Sequence, residues 1–401
     1  MTTQELRGCF PQLSRTVYGK PLVYLDNAAT SLRPQSVIDC WDDISSRSTA
    51  NLHRAVHLVA IEATDAYENA RAAVAGFINA ADTQEVVFAS GATHGLNLLA
   101  FSLGEAFIGE GDEIIVGEAE HHSNLVPWQM LCARKGAVLK RLRVDDSGRL
   151  MTETLPSLIG PKTKIVAVAH VSNVLGLVNP IREIADVCHR SGCLLVVDGA
   201  QGIVHQTVDV QALGCDFYAF SGHKMYAAPG TGVLWGRREL LEQMPPMFGG
   251  GEMIESVSWE SSTYAPLPRK FEAGTQNISG TPTFSPAIVL MRQMPECEDV
   301  KSYVYESLTA EPGVRLFGTT SDLRLKVPVF SFAVEGAHHE DLALIMDKMG
   351  VALRSGQMCA EPLMDRLGVT GLVRASFAPY NTLQEAEYFI SSLRKSIKML
   401  R

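Results

Sequence analysis

The chain of 401 residues has no long apolar run and no cluster of basic residues. Its longest apolar stretches, such as 165–171 and 194–197, fall far short of the roughly 20 residues that a membrane helix needs. They are therefore expected to be buried strands. Lys and Arg together number 35 against 44 Asp and Glu, which gives a net charge of −9. This balance argues against a nucleic acid or an anionic membrane surface as a partner.

Signals of secretion and of disulfide bonding are also missing. The first residues include Glu5 and Arg7 and no apolar core, so they do not read as a signal peptide. The sequence contains no CxxC pair, no internal repeat and no low-complexity tract. Its eight cysteines are scattered, which predicts free thiols and a reducing, cytoplasmic location; they are Cys9, Cys40, Cys132, Cys188, Cys193, Cys215, Cys297 and Cys359.

Strand and helix patterns alternate through the first two thirds of the chain. The apolar spacing predicts a long helix over 61–78, and further helices over 126–134 and 184–190. Seven strands are predicted between them, at 85–89, 113–116, 138–144, 165–171, 194–198, 217–220 and 232–235. Such alternation indicates an α/β fold, in which helices flank a mostly parallel seven-stranded sheet.

The last third of the chain has a different pattern. Strands are predicted over 327–334, 351–354 and 373–377, with helices over 339–349 and 384–400, after a Gly-, Ser- and Pro-rich loop at 247–286. This pattern predicts a smaller α+β C-terminal domain. The predicted division is an N-terminal segment at 1–20 that packs with the small domain, a large domain at 21–285 and the small domain at 286–401.

Two polar residues follow neighbouring predicted strands. Asp198 closes an apolar strand, and Lys224 follows the next one in the segment SGHK. Ligands of such sheets sit at the carboxyl ends of the strands. A buried acid and a lysine there suit pyridoxal 5′-phosphate (PLP): the acid keeps the pyridine nitrogen protonated, and the lysine forms an imine and moves protons. Taken singly, Asp198 also fits a turn residue before Gly199, and Lys224 a surface lysine.

Groups suited to the phosphate and to the ring lie elsewhere in the sequence. The turn at 90–93 precedes a helix and contains a glycine, which is typical of an anion site as well as of a plain capping turn. Ser221 and His223 flank Lys224 and offer further donors. His121 and His122 follow another strand, and an imidazole there could stack on the ring. The spacing does not support a metal site, while a structural role is the competing interpretation for His122.

These segments belong to a longer series of motifs that resembles the fold-type I PLP enzymes. Within the class-V aminotransferase family, the series is most similar to the cysteine desulfurases of the SufS/CsdA group. The motifs run in order over nearly the whole chain: YLDNAAT (24–30), NLHR (51–54), EHHSNLVPW (120–128), HVSNVLG (170–176), VDGAQ (197–201), DFYAFSGHKMY (216–226), FEAGTQN (271–277), RSGQMCAEPLM (354–364) and RASFAPYNT (374–382).

The resemblance implies a set of residues that hold the cofactor. Asp198 would pair with the pyridinium nitrogen and Gln201 with the phenolic oxygen, while His121 would stack on the ring. The remaining cofactor contacts implied are covalent attachment at Lys224 and phosphate binding by Thr93, Ser221, His223 and, from a second subunit of a homodimer, Thr275.

The resemblance also implies the reaction. Asn173 and Arg374 would hold the substrate carboxylate, and His53 and Arg354 would line the substrate region. Cys359 would attack the sulfur of L-cysteine and become a persulfide, with L-alanine released. The persulfide would pass to a SufE- or SufU-like acceptor, for iron–sulfur cluster assembly or other sulfur delivery.

The sequence departs from the family pattern at three places. His94 stands where relatives commonly carry Glu, Ala227–Ala228 replaces a Gly-Pro pair, and Gln357–Met358 precedes Cys359 where many relatives have histidine. The last departure leaves open how Cys359 is activated. Alternatives are a selenocysteine lyase or cysteine sulfinate desulfinase on the same scaffold, a kynureninase-like hydrolase, and a PLP-binding scaffold that recruits a sulfur carrier.

Overall fold

The structure is a computed structural model that describes residues 1–400. Its strands are β1 (Thr16–Val17), β2 (Lys20–Pro21), β3 (Val23–Tyr24), β4 (Val86–Ala89), β5 (Glu113–Gly117), β6 (Val138–Leu142), β7 (Thr163–Ala169), β8 (Leu194–Asp198), β9 (Phe217–Ser221), β10 (Gly232–Gly236), β11 (Ile254–Val257), β12 (Ser262–Tyr264), β13 (Val314–Phe317), β14 (Val329–Val334), β15 (Val351–Ala352), β16 (Arg354–Gly356) and β17 (Leu372–Ser376).

Helices connect and cover these strands. They are α1 (Thr3–Gly8), α2 (Gln35–Arg47), α3 (Leu58–Phe77), α4 (Ala92–Phe107), α5 (Val126–Lys135), α6 (Leu155–Leu158), α7 (Ile181–Arg190), α8 (Gly202–His205), α9 (Val210–Leu213), α10 (Arg238–Gln243), α11 (Phe284–Met291), α12 (Glu298–Ala310), α13 (His339–Lys348), α14 (Glu361–Leu367) and α15 (Leu383–Leu400). Within residues 1–400, no helix combines the length and apolar character that crossing a bilayer requires.

The large sheet has the order β4-β10-β9-β8-β7-β5-β6. All its strands are parallel except β10, which is antiparallel to both β4 and β9. Alternate residues enter opposite cores: Val166 and Val168 join one buried cluster, and Ile165 and Ala167 join the other. Because both faces are covered, the strands read as continuous apolar runs. The predicted α/β fold with a seven-stranded, mostly parallel sheet is confirmed.

A second, antiparallel sheet has the order β13-β14-β17-β16 and packs with α12, α13 and α15. The strand predicted over 351–354 is divided: β15 pairs in parallel with β3, and β16 pairs with β17. The segment predicted as a loop over 247–286 contains the β11–β12 hairpin. Its residues are mostly exposed, so they carry no alternating apolar pattern that would reveal strands.

Segments from both sides of the predicted domain boundaries pack together. Val23 and Leu25 join the buried cluster of the C-terminal sheet, while α11 packs against α3 beside the large sheet. In the N-terminal segment, Arg7 donates to the Tyr380 carbonyl at 2.7 Å and lies 2.9 Å from the Glu385 carboxylate. The division at residues 20 and 285 therefore stays a prediction.

A buried ion pair ties α3 to the segment that follows the hairpin. The Arg71 guanidinium lies 2.7 Å from the Glu272 carboxylate, and the two side chains are only 1% and 2% exposed. Glu272 also accepts hydrogen bonds from the Tyr67 hydroxyl and the Phe88 N–H. Three groups thus share one desolvated carboxylate, which joins α3 and β4 to the loop before α11.

Glu272→Gln should lower the free energy of unfolding by roughly 3–5 kcal/mol, because it leaves the Arg71 charge buried without its main partner. Urea unfolding followed by circular dichroism measures the change. The matched control is Glu105→Gln, which breaks the exposed pair with Lys135 at 2.9 Å and should cost less than about 1 kcal/mol. Equal losses in the two variants would contradict the role of burial.

Candidate active site

A cavity of about 340 Å³ opens at the carboxyl ends of the parallel strands. Loops after β4, β5, β7, β8 and β9 meet there, and the C-terminal sheet closes the other side. The cavity brings together side chains that are far apart in the sequence. Its lining includes Thr93, His121, Ser123, Asn173, Asp198, Gln201, Ser221, His223, Lys224, Arg354, Met358, Cys359 and Arg374.

Asp198 and Lys224 form the charged centre of this cavity. Asp198 ends β8, and its Oδ1 accepts a hydrogen bond from the Ala200 N–H at 2.9 Å. Burial raises the pKa of Asp198, and Lys224 opposes that shift. Burial lowers the pKa of Lys224, and Asp198 opposes it. The pair therefore holds an amine that loses its proton more readily than a surface lysine does.

The turn that leads into α4 is set against the sheet by a close approach of two backbones. A Cβ atom on Gly232 of β10 would lie 2.4 Å from the Cα of Gly91, so only glycine fits there. The Ala92 N–H donates to the Ser221 Oγ at 2.8 Å. The start of α4 is thereby fixed beside the strand end that leads to Lys224.

This helix start leaves donors free. In the described part of the chain, the N–H groups of Thr93 and His94 have no acceptor. Unpaired amides at a helix N-terminus favour an anion such as phosphate. The Nδ1 of His94 accepts the Ser90 N–H at 3.1 Å, so this unusual histidine stabilises the turn itself. His223 directly precedes Lys224 in the chain. Burial, helped by the Lys224 charge, lowers the pKa of His223 to about 4.

His121 lines the cavity after β5. Burial, helped by the Lys224 charge, lowers its pKa to about 4, so the ring is neutral near neutral pH. Its Nδ1 lies 3.1 Å from the Ser123 Oγ, which in turn lies 2.7 Å from the Thr93 Oγ1. Ser123 thus links the candidate ring-stacking residue to the anion-binding turn. Ser123 was not predicted as a site residue from the sequence, although the motif EHHSN contains it.

Arg374 provides a buried cation at the opposite end. Its Nη1 donates to the Asn173 carbonyl at 2.9 Å, and its Nη2 lies 3.2 Å from the Asp26 carboxylate. The Nε is buried and has no partner among residues 1–400. Asp26 was also missed, although the motif YLDNAAT contains it; no property of its local sequence signals a pairing 348 residues away.

Cys359 is exposed at the mouth of the cavity, in the loop between β16 and α14. Both Met358 and Cys359 have a φ of 55°, a left-handed conformation that costs a non-glycine residue on the order of 1–3 kcal/mol. Contacts around the loop hold it in this form. The Met358 carbonyl accepts from the Asn173 Nδ2 at 2.9 Å, and the Met358 side chain is buried in the core.

Two predicted site residues lie outside the cavity lining. The His53 Nε2 is 3.0 Å from the Glu68 carboxylate, which holds the ring on α3. Thr275 is exposed in the loop before α11. Thr275 is predicted to act in the cavity of a second subunit, so its position in one chain leaves that role a prediction.

The residues present fit PLP. The cavity combines a buried acid, a half-buried amine with a lowered pKa, a neutral imidazole and a helix start with free amides. Gln201 also reaches it, held by its Nε2 donating to the Ala28 carbonyl at 2.7 Å. The α/β fold and this cavity together define a PLP enzyme of fold type I.

Comparison with known proteins identifies the family, within the fold-type I PLP enzymes, that this chain resembles. Residues 23–389 match the model of the aminotransferase class-V family. A probable cysteine desulfurase of Xylella fastidiosa is 46% identical over 99% of this chain and 96% of its own. The cysteine desulfurase CsdA from Escherichia coli has a TM-score of 0.90 at 37% identity, with 100% of both chains covered. The apo cysteine desulfurase of Thermococcus onnurineus NA1 has a TM-score of 0.94 at 36% identity, with 100% of this chain and 99% of its own covered.

The chain belongs to the class-V aminotransferase family, and within it to the group that contains the cysteine desulfurases. PLP is its cofactor.

Proposed function

We propose that this protein is an L-cysteine desulfurase that converts L-cysteine to L-alanine and retains the sulfur as a persulfide on Cys359. The observation that carries the proposal is the position of Cys359. Its exposed loop borders the same cavity as Lys224 and Asp198. Burial is the main cause of the lowered pKa of Lys224, and the nearby Asp198 and Cys359 side chains oppose it. A thiol at the mouth of a PLP site can reach a substrate sulfur.

When bound, PLP supplies an electron sink that stabilises negative charge on the substrate carbons. Lys224, Asp198, His121, Gln201, Thr93, Ser221 and His223 would hold it. Asp198 is suited to keep a cationic nitrogen beside it because its carboxylate is buried with one hydrogen-bonded oxygen. The Nζ of Lys224 is suited to accept and return protons, since burial favours its neutral form.

Arg374 would orient the substrate. Its guanidinium is anchored by the Asn173 carbonyl and by Asp26, so its direction is set before a ligand arrives. An anchored guanidinium is suited to bind a carboxylate. Arg354, on β16, also lines the cavity and would add positive charge beside it.

The sulfur step balances without an added oxidant or reductant. The Cys359 thiolate attacks the substrate sulfur and forms the S–S bond, while the substrate carbon–sulfur bond breaks and its electron pair stays on carbon. Protonation of that carbon then yields alanine. The net change is cysteine plus enzyme thiol to alanine plus enzyme persulfide. Transfer to the thiol of an acceptor protein restores the Cys359 thiol.

The acceptor is proposed to be a small SufE- or SufU-like carrier, which would serve iron–sulfur cluster assembly or other sulfur delivery. The exposed position of Cys359 supports transfer to another protein, because a buried persulfide could not meet one. A homodimer is proposed with it, in which the exposed Thr275 completes the phosphate site of the partner.

An assay of alanine and sulfide formed from L-cysteine, with and without candidate acceptors, tests this function. Stimulation of turnover by an acceptor supports persulfide transfer. Absence of alanine from cysteine, together with turnover of an aromatic substrate, would instead support a kynureninase-like hydrolase.

Arg374→Gln should raise the KM for cysteine at least tenfold. Loss of one partner of a buried charged pair costs roughly 2–5 kcal/mol, and about 1.4 kcal/mol corresponds to tenfold. Steady-state kinetics measures the effect, with the exposed Arg141→Gln as a control that should leave KM unchanged. A fall in kcat with an unaltered KM would contradict the binding role.

A further inference from the structure

His122, on the large-sheet side of the cavity, makes two hydrogen bonds to the loop that carries Cys359. The His122 N–H donates to the Cys359 carbonyl at 2.7 Å. The His122 Nε2 accepts the N–H of Glu361, the first residue of α14, at 3.2 Å. The backbone and side chain of one residue therefore hold the reactive cysteine and the residue two positions after it.

His122 is itself held firmly on the large sheet. It begins a short helical turn, His122–Asn124, directly after His121. The Asn124 side chain donates to the buried Glu120 carboxylate at 2.7 Å, and Glu120 also accepts the Ala169 N–H of β7 at 2.9 Å. The His122 imidazole thus extends from a hydrogen-bonded turn that directly follows His121, the candidate ring-stacking residue.

The loop needs such an attachment. Met358 and Cys359 are consecutive non-glycine residues at a φ of 55°, and Gly356 is at 108°. A loop with this backbone relaxes unless its surroundings hold it. Asn173 holds the Met358 carbonyl, before the cysteine, whereas His122 holds the carbonyl of Cys359 and the amide of Glu361.

We propose that His122 is a positioning residue that holds the Cys359 loop, through the hydrogen bond from the Glu361 N–H to its Nε2, in the conformation that attacks substrate sulfur. The proposal rests on the desulfurase function proposed above. It assigns a task within that reaction to a residue next to, but distinct from, the candidate ring-stacking His121.

If His122 acts only by positioning Cys359, its replacement should affect turnover of cysteine and leave turnover of cysteine sulfinate unchanged. Cysteine requires attack by Cys359, whereas the sulfinate group of cysteine sulfinate leaves without a nucleophile. His122→Ala should therefore lower kcat for cysteine on the order of 10- to 100-fold, as a displaced nucleophile does. Its turnover of cysteine sulfinate and its PLP absorbance should be unchanged.

Two further variants serve as rescue and control. His122→Gln keeps an acceptor oxygen for the Glu361 N–H and should recover most of the cysteine activity. His338→Ala removes a comparable contact elsewhere, since the His338 Nδ1 accepts the Glu340 N–H at the start of α13. This control should behave as the unmodified protein with both substrates.

Hydrogen exchange at the Glu361 amide provides a readout that does not depend on turnover. Exchange should be faster in His122→Ala and slow again in His122→Gln. Parallel loss of activity on both substrates, or unchanged exchange at Glu361, would overturn the proposal. If the unmodified protein did not turn over cysteine, the proposed function would fail, while the exchange result would still decide whether His122 holds the loop.

Discussion

Lys224→Ala is expected to abolish turnover of cysteine and to remove the visible absorbance of a lysine-linked cofactor. The reason is that, among residues 1–400, Lys224 is the one amine that lines the cavity, and burial lowers its pKa. General acid–base catalysis alone contributes about 10²- to 10⁴-fold, and loss of the attachment point adds to that. We therefore expect activity on cysteine, selenocysteine and cysteine sulfinate to fall together by roughly 10⁴-fold or more.

Lys224→Arg is the matched variant for charge. It keeps a cation beside Asp198 but has no amine that can lose its proton, so it should be as inactive as the alanine variant. Lys348→Ala, at an exposed lysine on α13, should leave the absorbance and activity unchanged. Substantial activity in Lys224→Arg would show that Lys224 acts only through its charge.

Cys359→Ala is expected to abolish desulfuration of cysteine while leaving the cofactor bound. An oriented thiol acts like a reactant at about 10⁵ M or more. Millimolar free thiol in solution cannot replace it, so we expect a loss of at least about 10³-fold. Activity on selenocysteine or cysteine sulfinate should persist, because their leaving groups depart without a nucleophile. Alanine formation from each substrate measures the difference.

Cys40→Ala is the control, since this half-buried thiol lies on α2 and does not line the cavity. Cys359→Ser tests whether a hydroxyl of similar size can replace the thiol. The serine variant should be as inactive on cysteine as the alanine variant. Full activity of Cys359→Ala on cysteine would refute the persulfide mechanism while leaving the PLP assignment intact. Turnover of cysteine sulfinate but not of cysteine by the unmodified protein would make a desulfinase the better description.

Much of the fold was predictable because burial on both faces leaves a strong local pattern. Strands such as β7 and β8 are apolar runs between turn residues, and their alternation with helices indicates a parallel sheet. The hairpin β11–β12 was not predictable, since exposed residues leave no such pattern. The division of 351–354 between two sheets was not predictable either, because pairing with β3 or β17 depends on partners distant in the sequence.

The residues of the candidate active site were also predictable only in part. Lys224 and Asp198 were identified because each follows an apolar strand, and such strand ends meet at one edge of a sheet. Cys359 was identified by motif resemblance alone. Ser123 and Asp26 were missed, because their importance lies in contacts with Thr93 and Arg374 that have no local signature.

The sequence by itself determined the α/β architecture, the lysine and acid at adjacent strand ends, and the presence of a cysteine in a family motif. Only the tertiary structure decided how that cysteine is presented. Asn173 and His122 come from loops after β7 and β5, and they hold a loop of the C-terminal sheet in a conformation that its own residues disfavour. Local residue patterns record burial and turns, whereas contacts between distant segments form only when the chain is folded.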